Sequence, residues 1–143
     1  MSLAQGQAQT ALVLVADDCP FNIFAMQGLL EQLNVQAEFV TNGEEAVQAV
    51  RKRLSNSNNP MYKLIMMDFS MPIMNGPDAT RKIRAMLDKK GFASDDPVIC
   101  LVTAYQERSK QLVAEEAGMT SFLIKPIFKG HMHRVLIKAG LIK

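Results

Sequence analysis

The chain of 143 residues lacks tryptophan and has only two cysteines, Cys19 and Cys100. They lie far apart, with no CxxC pair and no neighbouring histidine, so neither a zinc site nor a disulfide framework is indicated. No apolar run approaches the roughly 20 residues that a membrane-spanning helix needs, and the chain does not open with the basic and then apolar segments of a signal peptide. We therefore expect a soluble protein in a reducing, cytoplasmic setting.

An excess of charge of one sign is also missing. Lys and Arg total 16 against 14 Asp and Glu, and no basic run is long enough to follow a phosphate backbone. Nucleic acid is therefore not expected as a partner, nor is membrane contact by this domain. The length fits one domain with one core, which we expect to span residues 11–143. Residues 1–10 are interpreted as a lead-in that is partly cloning-derived.

Short apolar segments alternate with segments of helical periodicity along the chain. The apolar segments are ALVLVA (residues 11–16), QAEFV (36–40), KLIMM (63–67), VICLV (98–102) and SFLI (121–124). Helical spacing follows each of them, as in Ile23, Met26, Leu30 and Leu33 after the first, and a helix from about residue 106 to 117 after the fourth. Five such units predict a doubly wound α/β domain, in which five helices cover both faces of a five-stranded parallel sheet.

Ionisable or hydroxyl residues follow four of the five predicted strands. They are Asp17 and Asp18 after the first strand, Asp68 after the third, Thr103 after the fourth and Lys125 after the fifth. Ligands of doubly wound sheets bind beyond the carboxyl ends of the strands, so we expect these side chains to meet at one edge. Three carboxylates would repel one another there unless a cation lies among them, and an oxygen-only ligand set favours Mg²⁺.

A phosphoryl group fits the same residues as a second ligand. Lys125 would neutralise its charge, and the Thr103 hydroxyl would donate a hydrogen bond to one of its oxygens. An ionised Asp68 beside Mg²⁺ is a competent nucleophile without a general base, which predicts an aspartyl phosphate. Each of these residues alone could have a simpler role: Asp17, Asp18 and Thr103 could cap helices, and Lys125 could be a solvated loop residue.

Four motifs closely resemble the receiver domains of two-component response regulators and hybrid histidine kinases. They are VADD, MMDFSMPIMNG, VTA and AGMTSFLIKP, and the resemblance covers residues 12–141. It implies a flavodoxin-like sheet of strand order 2-1-3-4-5. It further implies a phosphoacceptor switch, in which Asp68 takes a phosphoryl group from a phosphohistidine on a histidine kinase or a histidine phosphotransfer protein.

The resemblance also assigns roles around Asp68. Mg²⁺ would be bound by Asp18, Asp68 and the backbone carbonyl of Ser70, with Asp17 acting mainly through water. Thr103 and Lys125 would hold the phosphoryl oxygens.

Further roles concern switching and the lifetime of the phosphoryl group. Thr103 and Phe122 would form the switch that changes the face made by the fourth helix, fifth strand and fifth helix, although a plain core role for Phe122 stays open. Ser70 and Tyr105 would tune hydrolysis of the phospho-aspartate. The peptide bond before Pro126 would be cis, which proline permits at small cost.

Partner docking and the parent protein are the last implications. Phe21, Met26, Ile127 and Phe128 could form an apolar patch for a histidine-bearing helix, with core packing expected for at least two of them. Asn22 and the lack of an output domain favour a receiver excised from a hybrid histidine kinase, with a stand-alone regulator as the rival. The isolated chain would then catalyse only its own phosphorylation and dephosphorylation, while a full-length parent could be membrane-anchored.

Two other classes of protein fit less well. A magnesium-dependent aspartate-nucleophile phosphatase needs a second Asp two residues after the nucleophile, where this chain has Ser70. A nucleotide or flavin site needs a glycine-rich first turn, which VADDCPFN does not supply. His131 and His133 stand two apart on a predicted helix and point in different directions, so a solvated face is expected there rather than a metal or phosphotransfer site.

Overall fold

The computed structural model describes residues 10–56, 58–104 and 106–143, in which strands and helices alternate. The strands are β1 (Val13–Ala16), β2 (Ala37–Val40), β3 (Leu64–Asp68), β4 (Val98–Thr103) and β5 (Ser121–Ile124). The helices are α1 (Pro20–Gln32), α2 (Gly43–Ser55), α3 (Gly76–Lys89), α4 (Arg108–Ala117) and α5 (Lys129–Lys138). Tyr105 and residues 1–9 of the expected lead-in lie outside the described residues. Within those residues, no helix combines the length and the apolar character needed to cross a membrane.

The strands form one parallel sheet in the order β2-β1-β3-β4-β5, which confirms the predicted fold. The register pairs Ala16 with Met67 and Asp68 with Val102, so the three central strands end at the same edge. Every residue of β1 and β4 is buried, as is all of β3 except Asp68, which is half-buried. Strands covered by helices on both faces are apolar without alternation, which explains their sequences.

Two hydrophobic clusters lie on opposite faces of the sheet. Successive side chains of a strand point to opposite faces, so Leu14 joins one cluster and Val15 the other. The first cluster packs α2, α3 and α4 against the sheet, with Ile83 of α3 fully buried. The second packs α1 and α5, through residues such as Met26. The helices therefore hold the sheet from both sides and fix the position of its carboxyl edge.

Several boundaries differ from the sequence prediction. β1 begins at Val13 rather than residue 11, and α4 begins at Arg108 rather than about residue 106. Thr103 is the last residue of β4 and does not cap α4. The N-cap residue of α4 is Glu107, whose side chain makes no capping hydrogen bond. The peptide bond between Lys125 and Pro126 is cis, as the resemblance implied, and the bond before Pro97 is cis as well.

Contacts among three polar side chains support the edge strand β2. The Arg53 guanidinium lies 4.0 Å from the centre of the Tyr62 ring, and its Nη2 is 3.2 Å from Glu38 Oε2. The Tyr62 hydroxyl donates to the other oxygen of the same carboxylate. Burial and the Glu38 carboxylate both raise the pKa of Tyr62, so its hydroxyl stays protonated and keeps donating. These contacts join β2 to α2 and to the segment that enters β3.

The junction between β3 and α3 is closely packed around Gly76. The Gly76 N–H donates to the Phe69 carbonyl at 2.9 Å, and the Asn75 side chain caps α3 by accepting from Asp78 N at 2.8 Å. A Cβ on Gly76 would collide with the backbone carbonyl oxygen of Asp68. Glycine is therefore needed there because the helix begins directly against the end of β3.

We predict that Gly76→Ala lowers the free energy of unfolding by about 2 kcal/mol or more, because backbone atoms must move to admit the methyl group. Gly28→Ala is the matched control, since nothing lies within 4 Å of a Cβ at that position in α1. It should raise the free energy of unfolding by roughly 0.5–1 kcal/mol through helix propensity. Urea unfolding of both variants measures the difference, and equal effects would contradict the packing described here.

Candidate functional site

Three carboxylates meet at the carboxyl edge of the sheet. Asp17 and Asp18 follow β1, and Asp68 ends β3; one oxygen of each lies within 4.8 Å of the others. Asp17 is buried and Asp68 half-buried, while Asp18 is exposed to solvent. The edge predicted from the ends of the strands is therefore a cluster of acids with one open side.

Lys125 supplies positive charge to this cluster from the end of β5. Its Nζ lies 3.0 Å from Asp17 Oδ2 and 3.5 Å from Asp68 Oδ2. The Lys125 backbone N–H donates to the Thr103 carbonyl at 2.8 Å, which places the lysine beside the end of β4. Thr103 itself is buried at that end. The structure thus brings residues from four separate strand ends to one place.

The two oxygens of Asp17 have different surroundings. Oδ1 accepts hydrogen bonds from the Cys19 backbone N–H at 2.9 Å and from Asn22 Nδ2 at 3.4 Å. Oδ2 is buried and accepts no hydrogen bond among the described residues, with Lys125 as its charged neighbour. One oxygen therefore supports the turn into α1, where Cys19 makes no side-chain cap. The other faces the acidic cluster.

Asn22 was not predicted to contact the site. Its position in the first turn of α1, just after the two acids, is the signal that could have suggested this hydrogen bond.

The surroundings of Asp68 raise its pKa above the ordinary carboxyl value. Burial is the main cause, and the Asp17 carboxylate adds to it. The Lys125 ammonium and a hydrogen bond from the Phe69 backbone oppose the shift without cancelling it. Lys125 therefore does not fully offset the effects of burial and of Asp17, and further positive charge would favour the ionised form of Asp68.

A hard divalent cation fits this site on its donor chemistry. The candidate ligands are carboxylate oxygens, with no thiolate or imidazole in the cluster. Among the described residues, Asp17 Oδ2 has the Lys125 ammonium as a charged neighbour but accepts no hydrogen bond, and the pKa of Asp68 is raised by burial and by like charge. Mg²⁺ and Ca²⁺ prefer such oxygen ligands, and a cation would relieve the repulsion between the acids.

The predicted switch residues line a cavity under α4. Phe122 is half-buried on β5 and packs against the first hydrophobic cluster. Together with Thr103 and Leu101 it borders a cavity of about 200 Å³ on the α4 side of the sheet. Ser70 lies in the exposed loop that follows β3. The ring of Phe122 therefore has space beside it and is not locked in a filled core.

The predicted apolar patch divides into core and surface. Met26 is buried, and Ile127 packs against the second hydrophobic cluster, so core packing of two of the four residues is confirmed. Phe21 and Phe128 remain 85% and 63% exposed. Phe24, which the sequence prediction did not include, is 78% exposed, and its spacing of three residues from Phe21 is the signal that could have revealed it.

His131, for which a solvated helix face was predicted, also caps the start of α5. Its Nδ1 accepts a hydrogen bond from the Phe128 backbone N–H at 3.2 Å, and both His131 and His133 are half-buried. The first backbone N–H groups of a helix have no partner within the helix, and here the His131 ring supplies one.

Sequence comparison establishes the family. The family described as "Response regulator receiver domain" matches residues 13–137. The chain is 37% identical over 125 residues to Two-component response regulator 24 of Arabidopsis thaliana, covering 87% of this chain and 81% of that protein. It is 30% identical over 128 residues to Hybrid signal transduction histidine kinase L of Dictyostelium discoideum, covering 90% of this chain but 7% of the kinase. The chain belongs to the response regulator receiver domain family.

Solved structures agree with this assignment. The receiver domain of the histidine kinase CKI1 from Arabidopsis thaliana, complexed with Mg²⁺ and BeF₃⁻, matches with a TM-score of 0.75 and 27% identity, covering 90% of this chain and 88% of that chain. The receiver domain of the Saccharomyces cerevisiae response regulator Ssk1, crystallised with the histidine phosphotransfer protein Ypd1, matches with a TM-score of 0.77 and 23% identity, covering 92% and 89%. The second likeness shows the fold alone.

We predict that Asp68→Asn raises the melting temperature by a few degrees at neutral pH in a chelating buffer. Ionised Asp68 is disfavoured in the folded protein, as its raised pKa shows, and asparagine removes that charge. This rise in melting temperature should shrink as the pH falls through the folded-state pKa of Asp68. Wild-type Asp68 then becomes protonated and is as uncharged as asparagine. Asp88→Asn, at an exposed position of α3, should change little at any pH. Thermal unfolding at several pH values measures both, and a lower melting temperature for Asp68→Asn would contradict this electrostatic account.

Proposed function

We propose that this chain is a phosphoacceptor signalling switch of a two-component phosphorelay. Asp68 would take a phosphoryl group from a phosphohistidine on a histidine kinase or a histidine phosphotransfer protein. The observation that carries the proposal is the meeting of three carboxylates with Lys125 at the sheet edge of a receiver-family chain. That edge offers both a nucleophile and the positive charge that a phosphoryl group requires.

The transfer step uses residues already in place. An Asp68 carboxylate oxygen attacks phosphorus, and a phosphorus–oxygen bond forms as the phosphorus–nitrogen bond to the imidazole breaks. The electron pair of the broken bond stays on the imidazole nitrogen, and the ring leaves as neutral histidine because its other nitrogen carries a proton taken up from water. Lys125 Nζ neutralises the incoming phosphoryl oxygens, and the Thr103 hydroxyl donates to one of them. No general base is needed because the attacking carboxylate is already ionised.

Mg²⁺ completes the charge balance in this proposal. Asp18, Asp68 and the backbone carbonyl of Ser70 would hold the ion, with Asp17 acting through water. When bound, it supplies Lewis-acid neutralisation of the carboxylate and the phosphoryl oxygens. The oxygen-only cluster and the raised pKa of Asp68 support this, as does the Mg²⁺ in the CKI1 receiver structure.

Switching would follow from the space beside Phe122. If the Thr103 hydroxyl turns toward a phosphoryl group on Asp68, the Phe122 ring can enter the cavity of about 200 Å³ that both residues line. The surface made by α4, β5 and α5 would then change shape. The added phosphoryl contacts are what shift the population between the two arrangements. Tuning of hydrolysis by Ser70 and Tyr105 remains a prediction.

The source of the phosphoryl group would dock beside the exposed aromatic rings of α1 and the β5–α5 junction. Phe21, Phe24 and Phe128 are all exposed and follow strands whose carboxyl ends form the site edge.

We favour a receiver excised from a hybrid histidine kinase, which the kinase relatives support, over a stand-alone regulator. In isolation the chain would act only on its own phosphoryl group and not as an enzyme on other substrates.

We expect the protein to gain the mass of one phosphoryl group when it is incubated with Mg²⁺ and acetyl phosphate and weighed intact. Asp68→Asn should show no gain, because the nucleophile is missing, and a chelator should prevent the gain in wild type. Asp88→Asn is the control and should be modified like wild type. A gain that persists in Asp68→Asn would sink the proposal.

The rival function, an aspartate-nucleophile phosphatase, makes a different prediction. It would release phosphate continuously from a free phosphomonoester such as p-nitrophenyl phosphate. The exposed Ser70, in the place of that class's second aspartate, offers no general acid for turnover. Sustained release that depends on Asp68 would favour the phosphatase over the phosphorelay switch.

A further inference from the structure

Asn22 contacts the acidic cluster without being one of its acids or its lysine. It is the third residue of α1 and is half-buried. Its side-chain Nδ2 donates to Asp17 Oδ1 at 3.4 Å. Asparagine is a poor helix former, because its short polar side chain competes for nearby backbone groups. Here the amide instead makes its hydrogen bond with the acid that precedes the helix.

The start of α1 does not depend on this amide. Cys19 is the N-cap residue, and Pro20 follows it at the first helical position, where no backbone N–H is needed. The Cys19 backbone N–H donates to the same Asp17 Oδ1 at 2.9 Å. Asp17 therefore serves the turn into α1 without help from Asn22. The second donor adds a constraint on the carboxylate itself.

Two donors on one oxygen fix the orientation of the Asp17 carboxylate. The torsion that turns a carboxylate about its Cβ–Cγ bond is soft, so a single hydrogen bond holds it loosely. With Oδ1 held from the turn and from α1, Oδ2 lies 3.0 Å from Lys125 Nζ. Oδ2 is buried and accepts no hydrogen bond from the described residues. It is therefore the oxygen that is available to a water bound to the proposed cation.

The lack of charge on Asn22 suits it to hold this acid. A lysine or arginine at the same place would bind the Asp17 carboxylate more strongly, but it would add positive charge beside the cluster. That charge would lower the affinity of the site for a cation. An amide orients the carboxylate and leaves its full negative charge in the site.

We infer that Asn22 is a positioning residue, which raises the affinity of the site for Mg²⁺ by holding Asp17 with Oδ2 turned toward the cation. This inference rests on the proposed function, in which Asp17 contacts Mg²⁺ through water. Loss of a partner that orients a metal site from outside its ligand set commonly weakens metal binding by about 10–100-fold. We expect the low end of that range, because the Cys19 N–H would still hold Oδ1.

The test is the Mg²⁺ dissociation constant of Asn22→Leu, measured by isothermal titration calorimetry. Leucine is close to asparagine in size but donates no hydrogen bond, so this variant should bind Mg²⁺ about tenfold more weakly than wild type. Gln27→Leu is the matched control, since it also removes from α1 an amide that donates to a carboxylate at 3.4 Å. Its acceptor, Glu31, is not part of the acidic cluster. The control should bind Mg²⁺ within about twofold of wild type.

Thermal unfolding in a chelating buffer separates positioning from a role in the fold. The melting temperature of Asn22→Leu should be no more than a few degrees below that of Gln27→Leu, since each variant loses one amide hydrogen bond. Equal Mg²⁺ affinities for the two variants would overturn the inference. So would a much lower melting temperature for Asn22→Leu, because Asn22 would then serve the fold. A wild-type protein that binds no Mg²⁺ would contradict the proposed function instead.

Discussion

The ion pairs that Lys125 makes with Asp17 and Asp68 join three separate segments of the chain at one edge of the sheet. In the part of the chain that the structure describes, the Lys125 ammonium pairs with two of the three carboxylates that meet there. Burial disfavours the ionised form of Asp68, and the Asp17 carboxylate adds to this effect, so the pKa of Asp68 is raised. Such a site favours cations, and with a divalent cation bound it can also admit a phosphoryl group. The proposed chemistry therefore follows from the burial and the like charge that raise the pKa of Asp68.

The scaffold makes this arrangement possible by fixing the backbone tightly around it. Parallel strands paired in register end level with one another, so side chains distant in sequence become neighbours. Gly76 lets α3 begin against the carbonyl of Asp68, and Gly43 donates to the loop at Met74. The same closure imposes a strained turn at Ile73, where φ is 72°. The hydrogen bonds that hold the backbone after Asp68 are thus also the ones that keep Ile73 at a positive φ.

Much of the fold follows from patterns that are local in the sequence. Buried parallel strands are continuously apolar and helices have a period of 3.6 residues, so the order of elements could be predicted. The position of Asp68 directly after such a strand placed it at the binding edge. Other contacts depend on distances that only the folded chain sets. Glu38 meets Tyr62 across 24 residues, and the conformation of Ile73 results from hydrogen bonds made by its neighbours. The Asp17–Asn22 contact could have been suggested by the place of Asn22 in the first turn of α1, but its distance is set only by the folded chain.

The location of the phosphoryl group tests the central claim most directly. The protein is phosphorylated with Mg²⁺ and acetyl phosphate, reduced with borohydride so that an acyl phosphate becomes a stable alcohol, and mapped by tandem mass spectrometry. The account predicts reduction at Asp68 and at no other carboxylate, because Asp68 lies beside Lys125 and beside the two acids that are proposed to help bind the cation. Reduction at Asp17 or Asp18 in place of Asp68, or a phosphoryl group retained on His131, would contradict it.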